Sequence, residues 1–184
     1  MCEREGISME TTGVVRRIDD LGRVVIPKEI RRTLGIKDGT SLEIFVEKDM
    51  VALKKHSSMN NLSHFAEVYV ESIHNALKRD IIITDRDNVI ACAGSLKKTY
   101  LMQPISSYLE ECINKRTNII ELDMKDLTII NNKNEYCSYI INTIISNGDC
   151  IGLIIILSSE ERLGELEEKT TQIASQFFGK HIEE

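Results

Sequence analysis

The residues best suited to chemistry in this chain are arginines. Arg16, Arg17, Arg23, Arg31 and Arg32, half of the ten arginines present, fall within residues 13–35. A guanidinium is a planar fork of five donors that meets a phosphate or a guanine edge bidentately, so arginine in place of lysine points toward nucleic acid. The competing interpretation is an ordinary solvated surface with local ion pairs to Asp19, Asp20 and Glu29. No cysteine or histidine lies in the segment, which leaves it without a nucleophile, a base partner or a metal-ligating set.

Other chemistries find little support. The adjacent Asp19 and Asp20 have the look of paired carboxylates, but they sit where a turn is expected, and Asp is favoured there for local hydrogen bonding. His56, His64, His74 and His181 have no metal-binding spacing; His64 and His74, ten residues apart on one expected helix, are nearly three turns from each other. Cys2, Cys92, Cys112, Cys137 and Cys150 are odd in number and form no Cys-x-x-Cys pair. They read as reduced thiols that mostly fill the core rather than as an oxidation sensor. No P-loop or dinucleotide fingerprint is present, so the chain is expected to be no enzyme and to hold neither a metal nor a resident cofactor.

A composition of 42% hydrophobic and 28% charged residues is that of a soluble globular protein. The longest apolar run, residues 150–157, falls far short of the roughly 20 residues a membrane-spanning helix needs. The first residues lack the apolar stretch of a secretory signal, which points to the cytoplasm. The net charge of −6 is unevenly spread. Residues 11–56 carry ten Lys or Arg against seven Asp or Glu, and residues 57–184 carry twelve against nineteen. A polyanion would favour the first part and be repelled by the second.

The elements that must hold the arginines follow from local patterning. Residues 1–10 read as a disordered leader, with Met9 a candidate start. Residues 12–18 and 23–26 read as paired strands about an Asp19-Asp20-Leu21-Gly22 turn. Pro27 suits the first position of a short helix that Gly35 ends. Residues 42–47 and 51–54 read as two more strands. Four strands and one short helix without a disulfide or metal are near the lower limit for independent stability, so this segment is expected to dimerise by pairing hairpins with a second copy.

Beyond it, Leu62, Phe65, Tyr69, Ile73 and Leu77 recur at helical spacing and mark a connector within residues 57–79. Its placement on the face of its own domain is favoured over a free coiled coil, because too few heptads are present. Residues 81–84 and 89–93 read as a hairpin, 105–114 as a helix, and 118–122 as a short strand. Residues 136–145 and 150–158 read as a long hairpin about Asn147-Gly148. A final helix spans residues 160–178, with Leu163, Leu166, Ile173 and Phe177 as its apolar stripe. The fold class is α+β, with the two flanking helices on one sheet.

The nearly continuous pattern Thr12-Gly13-Val14-Val15-Arg16-Arg17-Ile18-Asp19, Leu21-Gly22-Arg23-Val24-Val25-Ile26-Pro27 and Arg31-Arg32-Thr33-Leu34-Gly35-Ile36, then Leu42-Glu43-Ile44-Phe45-Val46, resembles the AbrB-type swapped-hairpin DNA-binding domain. With the connector and the mixed α/β second half, the whole chain resembles the sporulation-regulator branch of that family. The resemblance implies a dimeric N-terminal DNA-binding domain over residues 11–56 and a GAF-like domain over residues 80–184. It implies a homotetramer, control of forespore genes, and duplex DNA as partner through Arg16, Arg17, Arg23, Arg31 and Arg32. A small-molecule effector of the GAF-like domain is a possible further partner; no membrane is expected. Without a long recognition helix, those arginines would contact mainly phosphates and groove shape. Two alternatives stay open: an antitoxin-like DNA-binding protein, and a small-molecule sensor that does not bind DNA. Activation and repression are equally compatible with the sequence.

Overall fold

A computed structural model describes residues 14–36, 38–55 and 63–181. The expected leader with Met9 and Cys2 lies outside the described residues, as do Thr12, Gly13, Lys37, His56 and Leu62. The chain divides into two compact units, Met1–His56 and Ser57–Glu184.

In the first unit, Pro27 stands at the N-cap of helix α1 (Lys28–Thr33), with an extended backbone at φ −56° and ψ 147°. The Arg31 N–H donates to its carbonyl at 3.0 Å. At the other end Gly35 adopts φ +61°. Its N–H reaches the Arg32 carbonyl at 3.3 Å, and the Ile36 N–H reaches the Arg31 carbonyl at 2.7 Å. These two bonds close the helix as a Schellman motif, a conformation that suits glycine. Strands β1 (Leu42–Glu47) and β2 (Met50–Lys55) form an antiparallel hairpin in which Glu47 faces Met50 and Leu42 faces Lys55.

The first expected hairpin is not a ladder in this protomer. The turn at residues 19–22 forms, but residues 14–18 and 23–26 are not strands, leaving two strands in the described part of the unit rather than four. Their β-branched side chains have no neighbouring surface to bury them: Val15 is 91% and Val25 is 73% exposed. A strand gains its stability from a paired ladder and a covered face, and one protomer supplies neither here.

The second unit is a five-stranded antiparallel sheet in the order β4-β3-β7-β6-β5, flanked by helices on both faces. Its strands are β3 (Asp80–Thr84), β4 (Val89–Ala93), β5 (Ile119–Ile130), β6 (Lys133–Ser146) and β7 (Asp149–Ser158). Asn147 and Gly148, at φ 49° and 80°, make the tight turn between β6 and β7. Strand β7 is central and buried on both faces, which explains its unbroken apolar run. Alternate residues serve two cores. Ile81, Ile83, Ile140, Ile144, Ile154 and Ile156 face helices α2 (Ser63–Leu77) and α5 (Glu165–His181). Ile82, Ile141, Leu153 and Ile155 face α3 (Lys97–Tyr100) and α4 (Ser107–Lys115).

Helix α2 packs on β3 and β4 through the buried Ala66 and Val70. Of the expected stripe, Leu163 is buried but precedes α5, and on α5 itself the stripe is reversed. Leu166 and Ile173 are each 64% exposed, and Phe177 is 41% exposed. The buried face consists of Glu167, Thr171, Ala174, Ser175, Phe178 and Gly179. Small residues win there because the backbones approach closely: a Cβ on Gly179 would lie 2.2 Å from the Ile145 carbonyl oxygen. The helix begins at Glu165 rather than residue 160, where the Glu167 carboxylate accepts the Gly164 N–H at 2.9 Å.

Three further differences have local causes. Ile105 enters a bridge with Ile130, so α4 starts after Ser106, whose Oγ accepts the Leu109 N–H at 3.2 Å. Strand β5 runs to Ile130 rather than ending near residue 122; a bulge between Glu121 and Lys125 carries it through a charged stretch at the sheet edge. The one-turn helix α3 had no periodic signal.

Candidate nucleic-acid interface

The arginine-bearing region is organised around the turn at residues 19–22. The Gly22 N–H donates to the Asp19 carbonyl at 3.0 Å, and the Asp19 N–H donates to the Arg23 carbonyl at 3.1 Å. Gly22 takes φ +76°, the left-handed conformation the turn needs. The Asp19 carboxylate then ties the turn from above. Its Oδ1 accepts the N–H groups of Leu21 at 3.1 Å and Arg23 at 2.7 Å. Its Oδ2 accepts from Arg23 Nε at 2.8 Å. These donors, the Arg23 N–H first and its guanidinium second, hold the Asp19 carboxyl below the usual carboxylate range despite a small opposing effect of desolvation.

The five arginines sit in three places. Arg16 and Arg17 precede the turn and are exposed. Arg23 closes the turn with its side chain 70% exposed. Arg31 and Arg32 occupy the last turn of α1, where a cation is also favoured by the helix dipole. Arg32 is exposed, whereas Arg31 is half-buried, with Nη1 3.6 Å from Asp38 Oδ1. Arg31 Nε is buried without a hydrogen-bond partner among the described residues. Among those residues, Arg16, Arg17 and Arg32 form no ion pair; of the local pairings expected to Asp19, Asp20 and Glu29, the one formed is Arg23 to Asp19, and Arg31 instead meets Asp38. Asp19 is expected from the sequence both as a turn acceptor and as one of three acids for local ion pairs; the structure singles out Arg23 as its partner and joins both tasks in one carboxylate.

Among the described residues, the second unit offers no comparable exposed set of arginines. Cys92, Cys112, Cys137 and Cys150 are buried free thiols in one core. Burial, with Asp80 nearby, pushes Cys92 up to about 12, and burial with Glu135 does the same for Cys137. Such thiols are inert at neutral pH. In the polar recess at the start of β3, the groups satisfy one another. His74 Nδ1 lies 2.6 Å from the Arg79 carbonyl oxygen, Ser95 donates to Asp80, and Arg79 pairs with Glu161 and Glu167.

Residues 61–183 match the family described as stage V sporulation protein T C-terminal, transcription factor. Over 178 residues, 96% of this chain and 100% of the relative, the chain is 45% identical to stage V sporulation protein T of Bacillus subtilis. The chain belongs to the stage V sporulation protein T family. In this family member, residues 15–60 also match the family described as antidote-toxin recognition MazE, bacterial antitoxin. A stretch of 48 residues, 26% of this chain and 50% of the relative, is 56% identical to the transition state regulatory protein AbrB of Bacillus subtilis. The first unit is therefore of AbrB type. The cyanobacteriochrome receptor PixJ superposes with a TM-score of 0.54 at 13% identity, over 69% of this chain and 98% of its own. The stage V sporulation protein T family member thus combines an AbrB-like first unit with a second unit that shares the fold of the PixJ structure, in an α+β chain.

Proposed function

We propose that this protein is a transcription regulator whose AbrB-type units pair into a dimer that binds duplex DNA through Arg16, Arg17, Arg23, Arg31 and Arg32. The observation that carries this reading is an arginine set around a fixed turn and the end of a short helix, with Arg16, Arg17, Arg23 and Arg32 exposed and Arg31 half-buried. The apolar residues left uncovered beside it, Val15, Ile18, Leu21 and Val25 among them, are what a second protomer would bury. The 56% identity to AbrB over this stretch supports the same reading. By its nature the contact is dominated by phosphates, so sequence preference is modest. The setting is the cytoplasm, and the name of the relative supports a role in sporulation, with forespore genes as the targets on this reading.

The second unit is read as an assembly and sensing device. The outward apolar stripe of α5, together with Phe65 and Val68 of α2, supports association of dimers into a tetramer. Several DNA-binding dimers on one particle raise avidity by effective concentration. A small molecule held by this unit would bias the arginine faces through α2. A thermal-shift screen followed by DNA binding with each hit tests that step; if no binder alters DNA affinity, the unit serves assembly alone. The match to MazE antitoxins does not favour an antitoxin role for the whole chain, because residues 63–181 form a folded sheet with flanking helices rather than an extended tail.

The deciding experiment is retention of duplex DNA by the purified protein over a salt series. If six to eight arginines of a dimer engage phosphates, log affinity falls against log salt with a slope of about −5 to −7. Changing Arg23 and Arg32 together to Ala is expected to cause a severe loss of this retention with the fold intact. Unaltered retention in that variant would leave the basic region as an oligomerisation element only. A map of bound sites in sporulating cells tests the developmental role.

A further inference from the structure

The Asp19 carboxylate is doubly employed, and only one of its tasks serves the turn. Two backbone hydrogen bonds across residues 19–23 and the two N–H groups on Oδ1 already define the loop. The remaining oxygen is spent on Arg23 Nε at 2.8 Å. An exposed ion pair of this kind adds little to stability. Its geometric effect is larger. Held at Nε, the guanidinium is fixed about its long axis, while its two terminal nitrogens make no hydrogen bond among the described residues and stay on a side chain that is 70% exposed. Those two nitrogens are the edge that meets a phosphate or a guanine bidentately.

We propose that Asp19 is a positioning residue that sets sequence discrimination, by clamping Arg23 in one presentation and offsetting part of its charge. The inference rests on the DNA-binding reading given above. A free arginine swivels toward any phosphate within reach and must lose that freedom on binding, whereas a clamped one meets only groups placed for it. The neighbouring carboxylate meanwhile weakens attraction to phosphates in general. Both effects raise the ratio of selective to indiscriminate binding, although the second lowers overall attraction.

Asp19→Asn separates the two tasks, because the amide oxygen still accepts the turn N–H groups while the amide nitrogen cannot accept from Arg23 Nε. The full-length protein is titrated with a duplex that the wild type selects from a random-sequence pool, and with a scrambled duplex of equal length. The expected result is that affinity for the scrambled duplex holds or rises while affinity for the selected duplex falls. The ratio then drops about tenfold, with an unchanged melting temperature. In an Arg23→Ala background the same substitution leaves the ratio where Arg23→Ala put it. Asp19→Ser, which keeps a turn acceptor on a shorter side chain, provides the same readout should the amide disturb folding.

A ratio that stays constant or rises in Asp19→Asn overturns the clamp, as does an effect that persists without Arg23. If Arg23→Ala abolishes retention while Asp19→Asn leaves the ratio intact, DNA binding stands and the clamp alone falls. If the wild type shows no salt-sensitive retention, both fall together.

Discussion

The two units of this chain solve the burial problem in opposite ways. The second hides isoleucines on both faces of its sheet, and Ile82, Ile141, Ile154 and Ile155 are fully buried within one protomer. The first leaves Val15, Ile18, Val25, Ile44 and Val46 at 65% exposure or more, and Pro27 is its one buried side chain among the described residues. The contrast shows that equal hydrophobicity does not make equal domains. A unit of about fifty residues encloses too little volume to cover its own apolar surface, so it takes a second copy as the missing half. On the proposed reading the same dependence serves binding: interlacing two copies would double the arginines on one particle without enlarging the chain.

The sharpest way to break that contrast is to place a charge where the first unit has no cover. Val25→Asp is expected to prevent pairing of the first units and lower DNA affinity by at least about a hundredfold, while near-ultraviolet circular dichroism of the second unit is unchanged. Retained DNA binding would mean that the exposed valines are not an interface. Next in size is Ile155→Ala, which opens a cavity in the centre of β7 and lowers the stability of the second unit by about 2 to 5 kcal/mol in denaturant titration. A similar loss in the first unit would show that the two do not fold independently.

A smaller effect sharpens the electrostatic side. Glu167 is largely buried, and burial acts to raise its carboxyl, but the Gly164 N–H, its own N–H and Arg79 outweigh this and hold it below the ordinary value of 4.5. A depressed folded value means stabilisation that is complete above 4.5 and lost as pH falls through the folded value. Glu167→Ala is expected to cost about 2 kcal/mol at pH 7, and the gap to wild type should close on acidification. Denaturation midpoints at pH 7 and at pH 3 to 4 check the sign. The smallest effect belongs to the thiols. With Cys92 and Cys137 pushed up to about 12, all four buried cysteines should resist a thiol reagent at pH 7 until the second unit unfolds.

Local rules were legible wherever a residue type has one physical use. Gly35 ends α1, Asn147-Gly148 turns β6 into β7, and the 85–88 turn joins β3 to β4 because each sequence offers the required conformation and few others do. Less visible was β5 beyond residue 122, since an edge strand can carry Asp123, Lys125 and Asp126 on open faces without the alternation that marks a covered one. The stripe on α5 was legible as a pattern but not as a direction.

By itself the sequence determined the two-part division, the short turns and caps, the concentration of arginine near one turn, and the family. Those properties depend on neighbouring residues, on composition or on an unbroken run of matching residues. Only the tertiary structure decided which face of α5 meets the sheet, because that depends on how closely Gly179 lets two backbones approach. It also decided that, of Asp19, Asp20 and Glu29, Asp19 is the acid that holds the Arg23 side chain. That choice depends on where a flexible guanidinium comes to rest in space, a quantity that spacing alone does not contain.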